Sequence, residues 1–254
     1  MVDELFSVTG KVALVTGGTS GIGRMIAQGF VDRGVKTYVA ARDLARAQAT
    51  AEELSAAGGE CVGLAADVGD PEGPAALINA LKTREERLDI LVNNAGANNR
   101  GPIEGVSAQA WDGVMDVNLR APFLLIQQAL PLLRAAASAE AHASIINIGS
   151  IGGLHIPNWD AYPYGASKAA IHHLTRALAK RFGADQIRVN AIAPGPFHSR
   201  LTDTTSEAVQ KSVQTYIPAN RAGSPEDVQG VCVFLASRAG AYVNGSTIAL
   251  DGGY

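Results

Sequence analysis

Lys11-Val12-Ala13-Leu14-Val15-Thr16-Gly17-Gly18-Thr19-Ser20-Gly21-Ile22-Gly23 begins as an apolar, β-branched run and ends in glycines that open a helix over residues 21–33. A short strand that is apolar on both faces belongs inside a sheet covered on both sides. Glycine lets the backbone approach a pyrophosphate closely, and a helix N-terminus presents unpaired amides and the positive end of its dipole. Glycines alone are weak markers in a chain that has 28 of them. A glycine turn placed between the first strand and the first helix is a stronger one. The bland alternative is a tight turn that lets helix and strand pack closely.

Working outward, strand-like runs at residues 35–41, 61–66, 88–92, 144–148, 187–192 and 247–250 alternate with helical stretches at 45–57, 71–86, 107–136 and 162–182. A further helix opens at Pro225, with Ser224 as N-cap. Pro122 and Pro131 are expected to bend the long stretch 107–136. The pattern predicts an α/β fold, a Rossmann-type doubly wound parallel seven-stranded sheet with helices on both faces. No linker-like segment divides the chain, so residues 1–254 read as a single dinucleotide-binding and catalytic domain. Irregular stretches at 97–106, 151–161 and 194–217 follow strands and gather at the carboxyl edge of the sheet, where open α/β folds bind ligands. The last of them is the expected substrate loop and mobile lid.

Hydrophobic residues at 47% and charged residues at 18% suit a buried core, and a net charge of -3 gives no general pull toward nucleic acid or anionic membrane. No window approaches the apolar length of a membrane span. Cys61 and Cys232 both read as core thiols in a reducing compartment. The opening Met1-Val2-Asp3-Glu4-Leu5 lacks the pattern of an export signal, so the expected location is cytoplasmic.

Tyr164 stands four residues before Lys168, with Ser150 and Asn118 upstream. On a helix, i and i+4 share a face, which sets the ammonium beside the phenol. A free tyrosine has a pKa of about 10, and a neighbouring cation lowers it toward a range useful for moving protons at pH 7. Tyr162 competes for the role but has Ala166, not lysine, four residues on. Strand two ends at Ala41, where an acidic residue would hold a ribose 2'-hydroxyl, and Arg42 follows, suited to a 2'-phosphate. That favours NADP(H) over NAD(H). Asp43 either neutralises Arg42 or caps the next helix.

Thr16-Gly17-x-x-x-Gly21-x-Gly23, Asp67-Val68, Asn93-Asn94-Ala95-Gly96, Asn118, Ser150, Tyr164-x-x-x-Lys168 and Pro194-Gly195 occur in this order. The set resembles the short-chain dehydrogenase/reductase family over about residues 10–253. Ile146-Asn147-Ile148-Gly149-Ser150, the segment 126–133 and Ile192-Ala193-Pro194-Gly195 look most like its 3-oxoacyl-thioester reductases. The resemblance implies Tyr164 as general acid/base and Lys168 lowering its pKa while holding the nicotinamide ribose. It implies Ser150 on the substrate oxygen and Asn118 on a water that returns protons. Gly17, Gly18, Thr19, Ser20 and Ile22 would meet the pyrophosphate and adenosine ribose, Arg42 the 2'-phosphate, Asp67 and Val68 the adenine, and Asn94 the adenosine side. Phe197 and Ser199 would hold the carboxamide. Ser20 stands where many NADP-dependent members carry a basic residue, which counts against NADP, and Ser199 replaces a usual threonine.

The five histidines form no metal-ligand set, and none is expected to bind metal; His155 and His198 are candidates for touching substrate. Leu154, Ile156, Trp159, Phe197, Leu201, Tyr216 and Ile217 suggest an apolar mouth for an acyl chain or another bulky ketone. A small-molecule carbonyl or alcohol is the expected partner. By resemblance a homotetramer is also expected, through the helices bearing Phe123, Leu130, Ile171 and Leu174 and through the last strand. The competing readings are an NAD(P)-dependent dehydrogenase of a polyol, steroid or sugar acid, and a dinucleotide-sensing protein without turnover.

Overall fold

The computed structural model describes residues 4–156, 159–199 and 202–254. Seven parallel strands, β1 (Val12–Thr16), β2 (Lys36–Ala41), β3 (Cys61–Ala65), β4 (Ile90–Asn93), β5 (Ala143–Ile148), β6 (Ile187–Pro194) and β7 (Thr247–Leu250), form one sheet in the order β3-β2-β1-β4-β5-β6-β7. The order reverses between β1 and β4, paired Ala13 to Ile90 and Val15 to Val92. A crevice therefore opens at their carboxyl ends, the switch point of a doubly wound sheet.

Helices α1 (Gly21–Val31), α2 (Leu44–Ser55) and α8 (Pro225–Ala236) lie on one face. Helices α3 (Gly73–Lys82), α4 (Ala108–Met115), α5 (Ala121–Ala136) and α6 (Tyr162–Phe182) lie on the other. Alternate strand residues feed two cores: Leu14, Leu91 and Ile145 on the α5 side, Val15, Val92 and Ile146 on the α1 side. The central strands are buried along their whole length, as their unbroken apolar runs require.

The structure corrects three expectations. The stretch 107–136 is not one proline-bent α-helix: a π-turn at Asp116–Arg120 separates α4 from α5. The region 194–217 is not wholly irregular, because β6 runs to Pro194 and a helix α7 spans Glu207–Tyr216. Cys61 is only half-buried, whereas Cys232 is fully buried. Among the described residues no helix is long and apolar enough to cross a membrane.

Candidate active site

The glycine turn leaves β1 with Gly17 at φ +64°, a left-handed conformation that favours glycine, while its N–H donates to the Ala40 carbonyl at 2.8 Å. Ser20 is the extended N-cap of α1, and its hydroxyl makes no capping bond. The first amides of that helix are thus open to an anion. Asn94, just past β4, braces the turn: its amide nitrogen donates to the carbonyls of Thr16 (2.9 Å) and Gly17 (3.2 Å). Contact between Asn94 and a ligand therefore falls to its other atoms. Gly18 and Thr19 are buried, and Ile22 packs half-buried on the α1-side core. Gly21 abuts the later loop so closely that an added Cβ would lie 2.8 Å from the Cβ of Ser199.

Arg42 emerges from β2 exposed, with no hydrogen bond or ion pair among the described residues. Asp43 takes the capping role, accepting from the Arg46 N–H at 3.2 Å as N-cap of α2. After β3, Asp67 is exposed and its Oδ1 accepts from the Gly69 N–H at 3.0 Å, while Val68 joins the core.

Helix α6 is locked to the sheet by a buried polar chain. Asn93 Nδ2 donates to Asn147 Oδ1 (2.8 Å), and Asn147 Nδ2 donates to Thr175 Oγ1 (2.9 Å). This fixes the helix that carries Tyr164 and Lys168. Lys168 is buried, its Nζ 5.6 Å from the Tyr164 ring centroid and donating to the Ile148 carbonyl at 2.7 Å. Burial pulls the lysine pKa down to about 8. Ser150, 7% exposed, caps a short turn by accepting from the Gly152 N–H at 3.0 Å.

Burial raises the Tyr164 pKa, opposed by a hydrogen bond with Ser150 and by the charge of Arg100. The expected lowering of the phenol pKa by Lys168 is not what this arrangement produces. One of the three ammonium protons goes to the Ile148 carbonyl, desolvation dominates the phenol, and Arg100 opposes it together with Ser150.

Asn118 sits in the π-turn, 2% exposed, and its side chain is fully engaged. Oδ1 accepts from the Ala97 N–H (2.8 Å), and Nδ2 donates to the Ala97 carbonyl (2.9 Å) and to Ser167 Oγ (3.0 Å). The side chain is therefore taken up by protein partners rather than by the expected water. Residue 122, whose N–H would close the Asn118 carbonyl in an α-helix, is a proline and has none.

At the mouth, the loops at 97–106 and 151–161 are tied by the Gly101 N–H donating to the Asp160 carbonyl at 3.1 Å. Arg100 lies over Trp159, 4.6 Å from its centroid, and the Trp159 ring stands 6.0 Å from that of Tyr164. Leu154, Ile156, Trp159 and Tyr216 are exposed, as a mouth requires. Phe197 and Ile217 are buried instead, the Phe197 ring filling the space left by Gly223. Leu201 lies outside the described residues. His155 packs against the Tyr254 ring at 5.9 Å, and His198 Nδ1 is 3.2 Å from Thr204 Oγ1.

A family model described as Enoyl-(Acyl carrier protein) reductase matches residues 17–254. The chain is 45% identical over 251 residues, 98% of each chain, to a rhamnolipids biosynthesis 3-oxoacyl-[acyl-carrier-protein] reductase from Pseudomonas aeruginosa. It is 37% identical over 260 residues to a 2-dehydro-3-deoxy-D-gluconate 5-dehydrogenase from Dickeya dadantii, covering 100% of this chain and 99% of the relative. The fold superposes with TM-score 0.94 and 43% identity, over 99% of each chain, on a Pseudomonas aeruginosa RhlG/NADP active-site complex. With ordered motifs, sheet order and site geometry all in agreement, the chain belongs to the short-chain dehydrogenase/reductase family.

Proposed function

We propose that the chain is an NADPH-dependent reductase that turns a ketone into a secondary alcohol, with a 3-oxoacyl thioester as its substrate class. The observation that carries this reading is the convergence of Tyr164, Ser150 and buried Lys168 at the carboxyl edge of the sheet, beside an open helix N-terminus. The residues fit a dinucleotide bearing a 2'-phosphate, because α1 offers uncapped amides and Arg42 stands exposed without a carboxylate among the described residues. Bound there, the cofactor supplies the hydride. Gly17, Gly18, Thr19, Ser20 and Ile22 hold the pyrophosphate and adenosine ribose, and Arg42 the 2'-phosphate. Asp67, Val68 and Asn94 hold the adenosine end. Phe197 and Ser199 hold the carboxamide, and Tyr164 and Lys168 the second ribose.

The Tyr164 hydroxyl gives its proton to the substrate oxygen while Ser150 holds that oxygen. A phenol whose pKa burial has raised is fully protonated at neutral pH, the form that reduction consumes. Lys168, with a pKa of about 8, can take up and release a proton in the working range, and the carbonyl of Asn118 is the seat for a water that returns it. The 3-oxoacyl-[acyl-carrier-protein] reductase and the NADP complex from Pseudomonas aeruginosa support the substrate class and the cofactor.

The reading also takes residues 1–254 as one domain in a reducing cytoplasm, which suits the free thiols of Cys61 and Cys232. A homotetramer belongs to it as well. An open groove lined by Met115, Leu119, Phe123, Leu174 and Ala177, on α4, the π-turn, α5 and α6, supports a face shared with a second copy. The test is turnover of acetoacetyl thioesters and small free ketones, followed by loss of NADPH absorbance and repeated with NADH. If thioesters are inert while a small ketone is reduced quickly, the acyl substrate class falls. A strong preference for NADH removes the role given to Arg42.

A further inference from the structure

Arg100 is an exposed cation at the mouth of the site, and no carboxylate pairs with it among the described residues. Its guanidinium carbon lies over the Trp159 ring, 4.6 Å from the centroid, and that ring is in turn tilted onto the ring of Tyr164 at 6.0 Å. Cation–π stacking leaves the edge of a guanidinium, with its fork of N–H donors, free to bind an oxyanion. The platform is held in place, because the Gly101 N–H donates to the Asp160 carbonyl at 3.1 Å and joins the two loops. The acidic groups of these loops act elsewhere. Asp160 Oδ1 accepts from the Tyr162 hydroxyl at 3.0 Å, and Glu104 also bears on Tyr162.

We propose that Arg100, supported on Trp159, is a subsite for an oxyanion carried by the substrate, one indole ring away from the carbonyl being reduced. This rests on Tyr164 being the residue that protonates that carbonyl. Exposed Leu154 and Ile156 on the adjoining loop give the same mouth an apolar wall, so the favoured substrate joins an apolar portion to an anionic one. The charge of Arg100 also reaches the Tyr164 phenol and opposes the effect of burial on it. An oxyanion seated on Arg100 therefore bears on both binding and proton transfer. Two sources share this chemistry: the carboxylate of an oxo acid, and the phosphate of a pantetheine arm.

The test compares substrates that differ in charge and share the reacting ketone. One pair is a 3-oxo acid and its ethyl ester; the other is acetoacetyl-coenzyme A and the N-acetylcysteamine thioester. In Arg100→Gln, the ratio of kcat/KM for the charged member over the neutral one should fall at least about tenfold for one pair, the size expected when a charge-assisted contact is lost. Any loss of kcat common to both members cancels in that ratio. Arg100→Lys should recover part of it, and added salt should lower the ratio in the parent protein but not in Arg100→Gln. A response in the acid pair assigns the site to a carboxylate, and a response in the thioester pair assigns it to a phosphate. An unchanged ratio in both pairs, with NADPH binding intact, overturns the subsite. If no thioester is reduced and the acid pair still splits, the subsite stands while the thioester reading falls.

Discussion

Replacing Lys168 by methionine keeps the apolar stem in its channel and removes the ammonium that donates to the Ile148 carbonyl. In the folded chain this lysine has a pKa of about 8 against an ordinary 10.5, with burial as the cause. Below about pH 8 both folded and unfolded chains carry the proton, so the folded state bears the full cost of the buried charge, about 3 kcal/mol. Between about 8 and 10.5 the unfolded chain binds more protons than the folded one, and stability rises with pH. Above the upper value the cost is gone. Methionine escapes the cost at every pH and leaves a buried carbonyl without its donor, a loss of about 1–3 kcal/mol. At pH 7 the variant should therefore match the parent or exceed it by up to about 2 kcal/mol, and near pH 10 it should be the less stable of the two. Urea unfolding of the ligand-free proteins at several pH values measures the gap, and subtracting one protein from the other removes every other group that titrates there. A gap that stays flat from pH 7 to 10 would refute the claim that this ammonium is held at a desolvation cost.

The other expectations are direct. Tyr164→Phe should still bind NADPH, seen by fluorescence quenching, and should lose at least about 10²-fold in kcat; turnover near the parental rate would remove the phenol from the chemistry. Arg42→Ala should raise the KM for NADPH about tenfold or more and barely move that for NADH, as expected for one lost charge-assisted contact. Asn118→Ala strands the Ala97 backbone groups and Ser167 Oγ, so it should cost about 3 kcal/mol in urea unfolding, and a loss below about 1 kcal/mol would show that water replaces the side chain readily. Asp43→Ala removes the α2 cap and should lower Tm by about 2–4 °C with kinetics unchanged.

The alternation of strands with helices and the Tyr164–Lys168 helix were legible because they rest on backbone demands that leave a local trace. These are unbroken apolar runs, glycine at a left-handed turn, and a four-residue spacing on one helix face. Other features depend on distant partners and leave no such trace. Helix α7 buries only Val213 and is polar overall, so EAVQKSVQTY passes for a loop even though Val209, Val213 and Tyr216 recur at helical spacing. The π-turn comes from an inserted register that periodicity smooths over, and only the proline at 122 hints at it. Whether Lys168 acidifies the phenol depends on where its protons point, and the Ile148 carbonyl comes from a strand twenty residues away. Arg100 and Trp159 meet through the pairing of two loops, which neither sequence segment announces. Asn147 was the one missed signal in plain view, a polar residue amid the apolar run of β5.

The pairing of β1 with β4 also governs how the molecule comes into being. Asn94 clasps Thr16 across 78 positions of sequence, and closing a span of that length costs about 4 kcal/mol of chain entropy before any contact offsets it. The first three strands neighbour one another locally, so that half of the sheet can gather early, while the clasp waits for the fourth strand to dock. The glycine turn thus acquires its working shape only when the two halves of the chain meet. Dinucleotide binding during refolding should therefore report that the central seam has closed.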